Sequence, residues 1–395
     1  MKNIFSTLVA ITILTTACSS KNSPKNSVKN KSSDKTIHQQ ITSFGEKLFN
    51  DESLSRDGKQ SCASCHNAAH AFIDTRINKT SISNLTPSSV STGQDDKALD
   101  DRNTPTITYA ALIPDFNFDN EEKLFKGGQF LDGREKNLHD QAAQPFLNRV
   151  EMQTDQATVV SKVKNKYGPI MRELFGKNIF ATVDQAFNAI TFSIAEFEKT
   201  DLFSPFDSKF DRMLKGKYKF TEEEARGLTL FKTEDKGNCA ACHTVPTTIS
   251  SQQESIFTDF TYDNLGVPVN DVVRRLNGKG NMFVDYGLFT NPMVNNQELK
   301  GAFRVSTLRN IAVTAPYMHN GIFRDLKTVV RFYNTRDVKS ALNPETSKPW
   351  RPAEVDATKN TEELGNLKLT NAEEDALVAF MKTLTDKRYE HLMVE

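Results

Sequence analysis

Two short runs constrain this chain more than anything else in it: SCASCH at 61–66 and NCAACH at 238–243. Each contains C-x-x-C-H. At that spacing two thiols form thioethers to the vinyl groups of a c-type haem, and the histidine takes an axial position on its iron. Cys62, Cys65 and His66 make the first set; Cys239, Cys242 and His243 make the second. Paired C-x-x-C runs can also build a zinc site. The histidine that closes both runs at the same offset, in a chain that carries an export signal, favours two covalently bound haems instead. An electron carrier needs only one haem, so the second implies a division of labour.

The export signal is the N-terminus. Lys2 precedes the apolar IFSTLVAITIL, and TTAC brings small residues up to Cys18. Residues 1–17 read as a lipoprotein-type signal peptide, with Cys18 as the acylated first residue of the mature chain. The alternative is an ordinary cleaved signal with an incidental cysteine; Cys18 being the only cysteine outside the two haem runs favours the lipid anchor. The expected location is periplasmic and membrane-anchored. Residues 18–36, rich in Ser, Asn and Lys, read as a disordered tether spanning roughly 25 Å as a coil. No later apolar run approaches the roughly 20 residues of a membrane-spanning helix. The 50 basic and 50 acidic side chains balance, which gives no case for nucleic acid or another polyanion as partner.

The length, 395 residues, suffices for two domains with separate cores. Ahead of each haem run stands G-x-x-L-F: Gly45, Leu48 and Phe49, then Gly227, Leu230 and Phe231. The recurrence points to a duplicated unit in which an amphipathic first helix leads into the haem loop. The expected fold is mostly α: two cytochrome c-like haem domains, 37–210 and 211–395, with long irregular loops. Apolar periodicity predicts helices over 155–176, 182–200 and 370–386, the last capped by Thr370 or Asn371. There is little strand signal. The irregular stretch 244–300 is long enough to wrap a cofactor.

The sixth iron position decides the chemistry, because two strong ligands make a carrier and an open face admits peroxide or oxygen. No histidine or methionine occurs between residues 71 and 130, so the residues favour an open first haem. For the second haem, Met318 and His319 in TAPYMHNG are the candidates the residues alone offer, as ligands or as pocket lining.

Several motifs then fall in a recognisable order. They are LFNDESLS before CASCH, DRNTPT at 101–106, GGQFLDGR at 127–134 and DQAAQPFLNRVEM at 140–152, followed by CAACH, FRVSTLRNIAVTAPYMHNG at 303–321 and LKTVVRFYN at 326–334. Together they resemble the bacterial di-haem cytochrome c peroxidase and MauG family across residues 40–386. The resemblance implies that Gln141, Pro145 and Glu151 form the peroxide pocket, with Glu151 as distal acid and base; without it, Glu151 reads as a solvated loop carboxylate. It implies Tyr333, fourteen residues after His319, rather than Met318 as the second haem's distal ligand; the alternative is a core tyrosine on an apolar helix face. Tyrosine at that place, and no histidine in the loop before Asn103, are features of the MauG branch. The resemblance further implies a calcium ion between the haems, held by the Asn103 side chain and the Thr314 and Pro316 carbonyls, where Asn103 otherwise reads as a turn cap. One departure stands out: the family's inter-haem tryptophan is replaced by Leu131.

The expected function is reduction of hydrogen peroxide to water, with electrons from a small soluble cytochrome c or cupredoxin. A MauG-like oxidase acting on a protein or small molecule is the first alternative. A di-haem electron carrier without catalysis is the second, and it leaves Glu151 and Gln141 without a purpose.

Overall fold

The computed structural model describes residues 28–81, 87–246, 256–280 and 282–393. The signal segment, Cys18 and residues 18–27 of the expected tether lie outside these. The rest of that tether is corrected: a helix, α1, runs Val28–Phe49. Between Pro24 and Gly45 the sequence holds no glycine or proline, so nothing stops the helix extending back from its apolar end.

Nine further helices follow among the described residues. α2 (Cys62–Cys65) is a single turn formed by the first haem run. α3 (Leu138–Leu147), α4 (Gln156–Phe175) and α5 (Val183–Glu198) start at Asn137, Asp155 and Thr182, whose side chains accept from free backbone N–H groups of the first turn. α6 (Lys209–Leu214), α7 (Glu222–Lys232) and α10 (Asn371–Lys382) start with reciprocal capping boxes, Ser208 with Asp211, Thr221 with Glu224 and Thr370 with Glu373. Between them lie α8 (Asp271–Leu276) and α9 (Leu326–Thr335). The three helices predicted from periodicity are α4, α5 and α10, the last ending at Lys382. Strands are few. β1 (Asn117–Asp119) pairs with β2 (Leu124–Lys126), β3 (Tyr262–Asp263) with β4 (Phe303–Arg304), and β5 (Leu342–Asn343) with β6 (Lys348–Pro349), all antiparallel.

Residues 40–395 form one compact unit containing two large hydrophobic cores. The first draws on α1, α3, α4 and α5, around Phe44, Leu48, Ile190 and Phe197. The second draws on α6, α7, α9 and α10, around Phe210, Phe231, Phe332 and Phe380. The repeated G-x-x-L-F has the same geometric purpose in both. A Cβ at Gly45 would run into the carbonyl oxygen of Ser193 on α5, and one at Gly227 into that of Ala376 on α10. Only glycine lets α1 approach α5, and α7 approach α10, so closely.

A second repeat appears only in three dimensions. Thr106 Oγ1 donates to the Ala71 carbonyl at 2.5 Å and Thr307 Oγ1 to the Ile256 carbonyl at 2.6 Å. Each threonine oxygen also accepts from the backbone N–H two residues on, at 3.0 Å. Tyr109 and Asn310, three residues beyond each threonine, both have φ of 62°.

Candidate active site

A cavity of about 880 Å³ opens between these elements. His66 and His243 both line it, with Cys65, Cys239 and Cys242. His66 donates from Nδ1 to the Phe72 carbonyl at 3.0 Å, and His243 from Nδ1 to the Phe257 carbonyl at 2.9 Å. Donation from Nδ1 fixes the tautomer and leaves each Nε2 as a free lone pair for iron. Burial lowers both imidazole pKa values, which keeps them neutral as ligands must be. One helical turn separates Cys62 from Cys65, so both sulfurs leave the same face of α2. Burial pushes the thiols of Cys65, Cys239 and Cys242 up to about 12. This donor set fits a c-type haem at each run.

The residues expected around peroxide meet on one wall of the cavity. Gln141 and Pro145 lie one turn apart on α3, and Glu151 follows in the turn after it. Glu151 accepts from Asn148 Nδ2 at 2.5 Å. Its backbone carbonyl is tied to the N–H of Gln94 at 3.0 Å, which sets the loop before Asn103 against this turn. Burial raises the Glu151 carboxyl to about 7, with the negative charge of Asp100 adding to it, while Asn148 and Arg134 pull the other way. Burial also raises Asp100. A solvated loop carboxylate would show none of this.

Tyr333 lines the cavity from α9. Its phenol is held well above the ordinary range, by burial first and then by the Cys242 and Cys239 thiols, so it stands beside the second haem run. Met318 lines the same cavity from a left-handed backbone position. His319 lines it too: its ring stacks on Phe303 with centroids 3.8 Å apart, and its Nε2 lies 4.0 Å from Glu354. Leu131 also lines the cavity.

Asn103, Thr314 and Pro316 each line the cavity. Asn103 donates from its backbone to the His319 carbonyl at 2.7 Å and from Nδ2 to the Ser89 carbonyl at 3.0 Å. That leaves Oδ1 free, and neither it nor the carbonyls of Thr314 and Pro316 accepts a hydrogen bond among the described residues. Oxygens of this kind suit a hard cation such as calcium.

Sequence reasoning missed Asp100, Arg134 and Glu198, all of which line the cavity. Asp100 and Arg134 sit in charged loops that carry no period. Glu198 did leave a signal. It falls four residues after Ile194 and eight after Ile190, on the buried face of α5. Its Oε2 has no hydrogen-bond partner, and burial raises its carboxyl to about 8.

Comparison with known proteins agrees with this geometry. The family model for di-haem cytochrome c peroxidase matches residues 39–219. The methylamine utilization protein MauG of Paracoccus denitrificans is 44% identical over 362 residues, covering 90% of this chain and 91% of that protein. The cytochrome c551 peroxidase of Pseudomonas aeruginosa is 30% identical over 312 residues, covering 78% and 76%. Among solved structures, the diheme peroxidase BthA of Burkholderia thailandensis superposes with a TM-score of 0.80 at 29% identity, covering 90% of this chain and 88% of that one. With two haem-binding sets on one cavity and relatives matched over most of their length, the chain belongs to the di-haem cytochrome c peroxidase and MauG family of oxidoreductases.

Proposed function

We propose that the protein reduces hydrogen peroxide to water beside His66, drawing electrons through the second haem run from a small cytochrome c or a cupredoxin. The observation that carries this reading is Glu151, a half-buried carboxyl raised to about 7 that lines, with Gln141 and Pro145, the cavity that His66 also lines. When bound, the haem at Cys62, Cys65 and His66 supplies an iron that can take peroxide's oxidising equivalents, and the haem at Cys239, Cys242 and His243 supplies single electrons. The protein's own residues do the rest. Cleaving peroxide requires a proton to leave one of its oxygens and another to reach the oxygen that departs. Glu151 can carry that proton across, and a carboxyl near neutrality exchanges it in both directions. Gln141 is placed to hydrogen-bond the peroxide, and Pro145 walls the pocket. Two protons and two electrons convert one peroxide to two waters.

Tyr333 would help hold the iron of the second haem in this reading, supported by its place beside Cys239 and Cys242. A calcium ion would be held by Asn103, Thr314 and Pro316, supported by their three oxygens that accept no hydrogen bond among the described residues. The two cores correspond to haem domains at 37–210 and 211–395, and Cys18 carries a lipid that holds the protein to the periplasmic face of a membrane.

A second reading, oxidation of a protein or small molecule as its MauG relatives suggest, is favoured by the 44% identity and by Tyr333. One experiment separates the two. Peroxide is added with a reduced monohaem cytochrome c, and turnover is followed; spectra of peroxide-treated enzyme are then taken without donor. Steady oxidation of the cytochrome supports the peroxidase. A long-lived oxidised state with negligible cytochrome turnover supports the oxidase, and no spectral response to peroxide defeats both.

A further inference from the structure

The repeated threonine device places Tyr109 and Asn310 at equivalent points, both with φ of 62°. Asparagine is at ease in that left-handed region; a bulky side chain is not. A tyrosine kept where its own structural counterpart is asparagine is strained, and strain of this kind gathers where function requires it. The tyrosine is also placed for chemistry. It is 1% exposed and lines the cavity shared by His66 and His243. Its hydroxyl donates to Asp386 Oδ1 at 2.5 Å. Asp386 is itself fully buried, and its Oδ2 accepts from Asn310 Nδ2 at 2.8 Å.

Other tyrosines on the cavity lack such a base. Tyr317 donates to the Ile311 carbonyl at 3.0 Å, and Tyr333 donates to no carboxylate among the described residues. The distinction matters because a phenol loses an electron far more easily when its proton has somewhere to go. Burial and the neighbouring carboxylate hold the Tyr109 phenol well above its ordinary pKa, so it does not ionise first. Burial also raises Asp386, which makes it a better proton acceptor. Arg309 lies 5.3 Å over the Tyr109 ring, a charge that would oppose oxidation, but it is paired with Asp211 at 2.5 and 2.8 Å.

We propose that Tyr109 is a redox relay between the two haem-binding halves, with Asp386 as its proton acceptor. Hydrogen peroxide is the oxidant. When it has left the first centre oxidised, the Tyr109 O–H bond breaks. The electron goes to that centre, the proton passes to Asp386, and a neutral tyrosyl radical remains. An electron from the second centre then reduces the radical while the proton returns from Asp386, restoring phenol and carboxylate.

The test is made on the holoenzyme, mixed with peroxide, frozen within milliseconds and read by electron paramagnetic resonance. The expected result is an organic radical whose hyperfine splitting collapses in protein grown on ring-deuterated tyrosine. Tyr109→Phe should abolish it while leaving the optical spectra of both haems unchanged, and Asp386→Asn should cut its yield at least about tenfold. Tyr109→Asn, which copies the other half, should also lose the signal and guards against a Tyr109→Phe variant that does not fold. A radical that persists in both Tyr109 variants overturns the relay, as does electron transfer between the haems at the wild-type rate in either of them. The relay rests on the peroxide reading for its oxidant alone. Optical response to peroxide tests that reading separately, since it should survive in Tyr109→Phe.

Discussion

Glu151 and Glu198 are both carboxyls raised by burial, yet their neighbours differ. Glu151 has Asp100 pushing it up and Asn148 and Arg134 pulling it down, and settles at about 7. It acts first as a base, so peroxide turnover should rise as pH passes through about 7. Glu151→Gln should keep both haems and their spectra, lose turnover by roughly two to four orders of magnitude and erase that limb of the pH profile. Turnover within a few-fold of wild type would make the carboxylate a bystander. Glu198 has burial alone, which lifts it from 4.5 to about 8. Its folded-state pKa exceeds its unfolded one, so the stability it contributes is full below pH 4.5 and is lost as pH rises through about 8. Across that window the wild-type melting temperature should fall. Glu198→Gln should flatten the fall and gain on the order of 5 kcal/mol at the alkaline end. Parallel melting curves against pH for the two proteins would show that the carboxyl is solvated or paired.

At the scale of single elements, α9 and the α7–α10 crossing make separable claims. α9 sets Tyr333 beside Cys239 and Cys242, whereas Met318 reaches the cavity from a loop. Phenolate is a hard anionic donor and thioether a soft neutral one. Tyr333→Phe should therefore alter the low-spin ferric signal and raise the second haem's potential, while Met318→Leu should leave coordination alone. An iron–methionine charge-transfer band that disappears in Met318→Leu would reverse the assignment. At the crossing, any Cβ on residue 227 meets the Ala376 carbonyl, which is backbone and cannot swing aside. Gly227→Ala should cost roughly 1–3 kcal/mol or more, read as a lowered denaturant midpoint. Gly216→Ala is the control: a Cβ there meets nothing, though its φ of 67° carries a backbone cost of its own. Equal midpoints for the two variants would mean that the helices part easily.

Over the whole molecule, the loop between the first haem run and Asn103 decides whether the enzyme starts ready. Past His70, which lies only four residues from His66, that stretch has no histidine or methionine to close the sixth position. The resting protein should show a high-spin ferric signal and turn over peroxide without prior reduction; two purely low-spin haems with activity only after reduction would refute it. Much of this was legible in the chain. Covalent attachment needs a fixed local spacing, so Cys62, Cys65, His66 and their counterparts could be read directly, and so could α4, α5 and α10 from their apolar period. The G-x-x-L-F repeat announced two halves because a close helix crossing demands glycine wherever it occurs. What the linear sequence could not show is which distant groups share a low-dielectric space. Asp100 raises Glu151 from fifty-one positions away, Asp386 receives the Tyr109 hydroxyl, and Asp211 holds the buried Arg309. The start of α1 was misread for a related reason, since a polar composition does not forbid a helix that nothing interrupts. Local chemistry was written in residue type and spacing. The proton affinities, the equivalence of Tyr109 with Asn310 and the single cavity joining both haem runs came from burial and chain crossing, which only the folded structure decides.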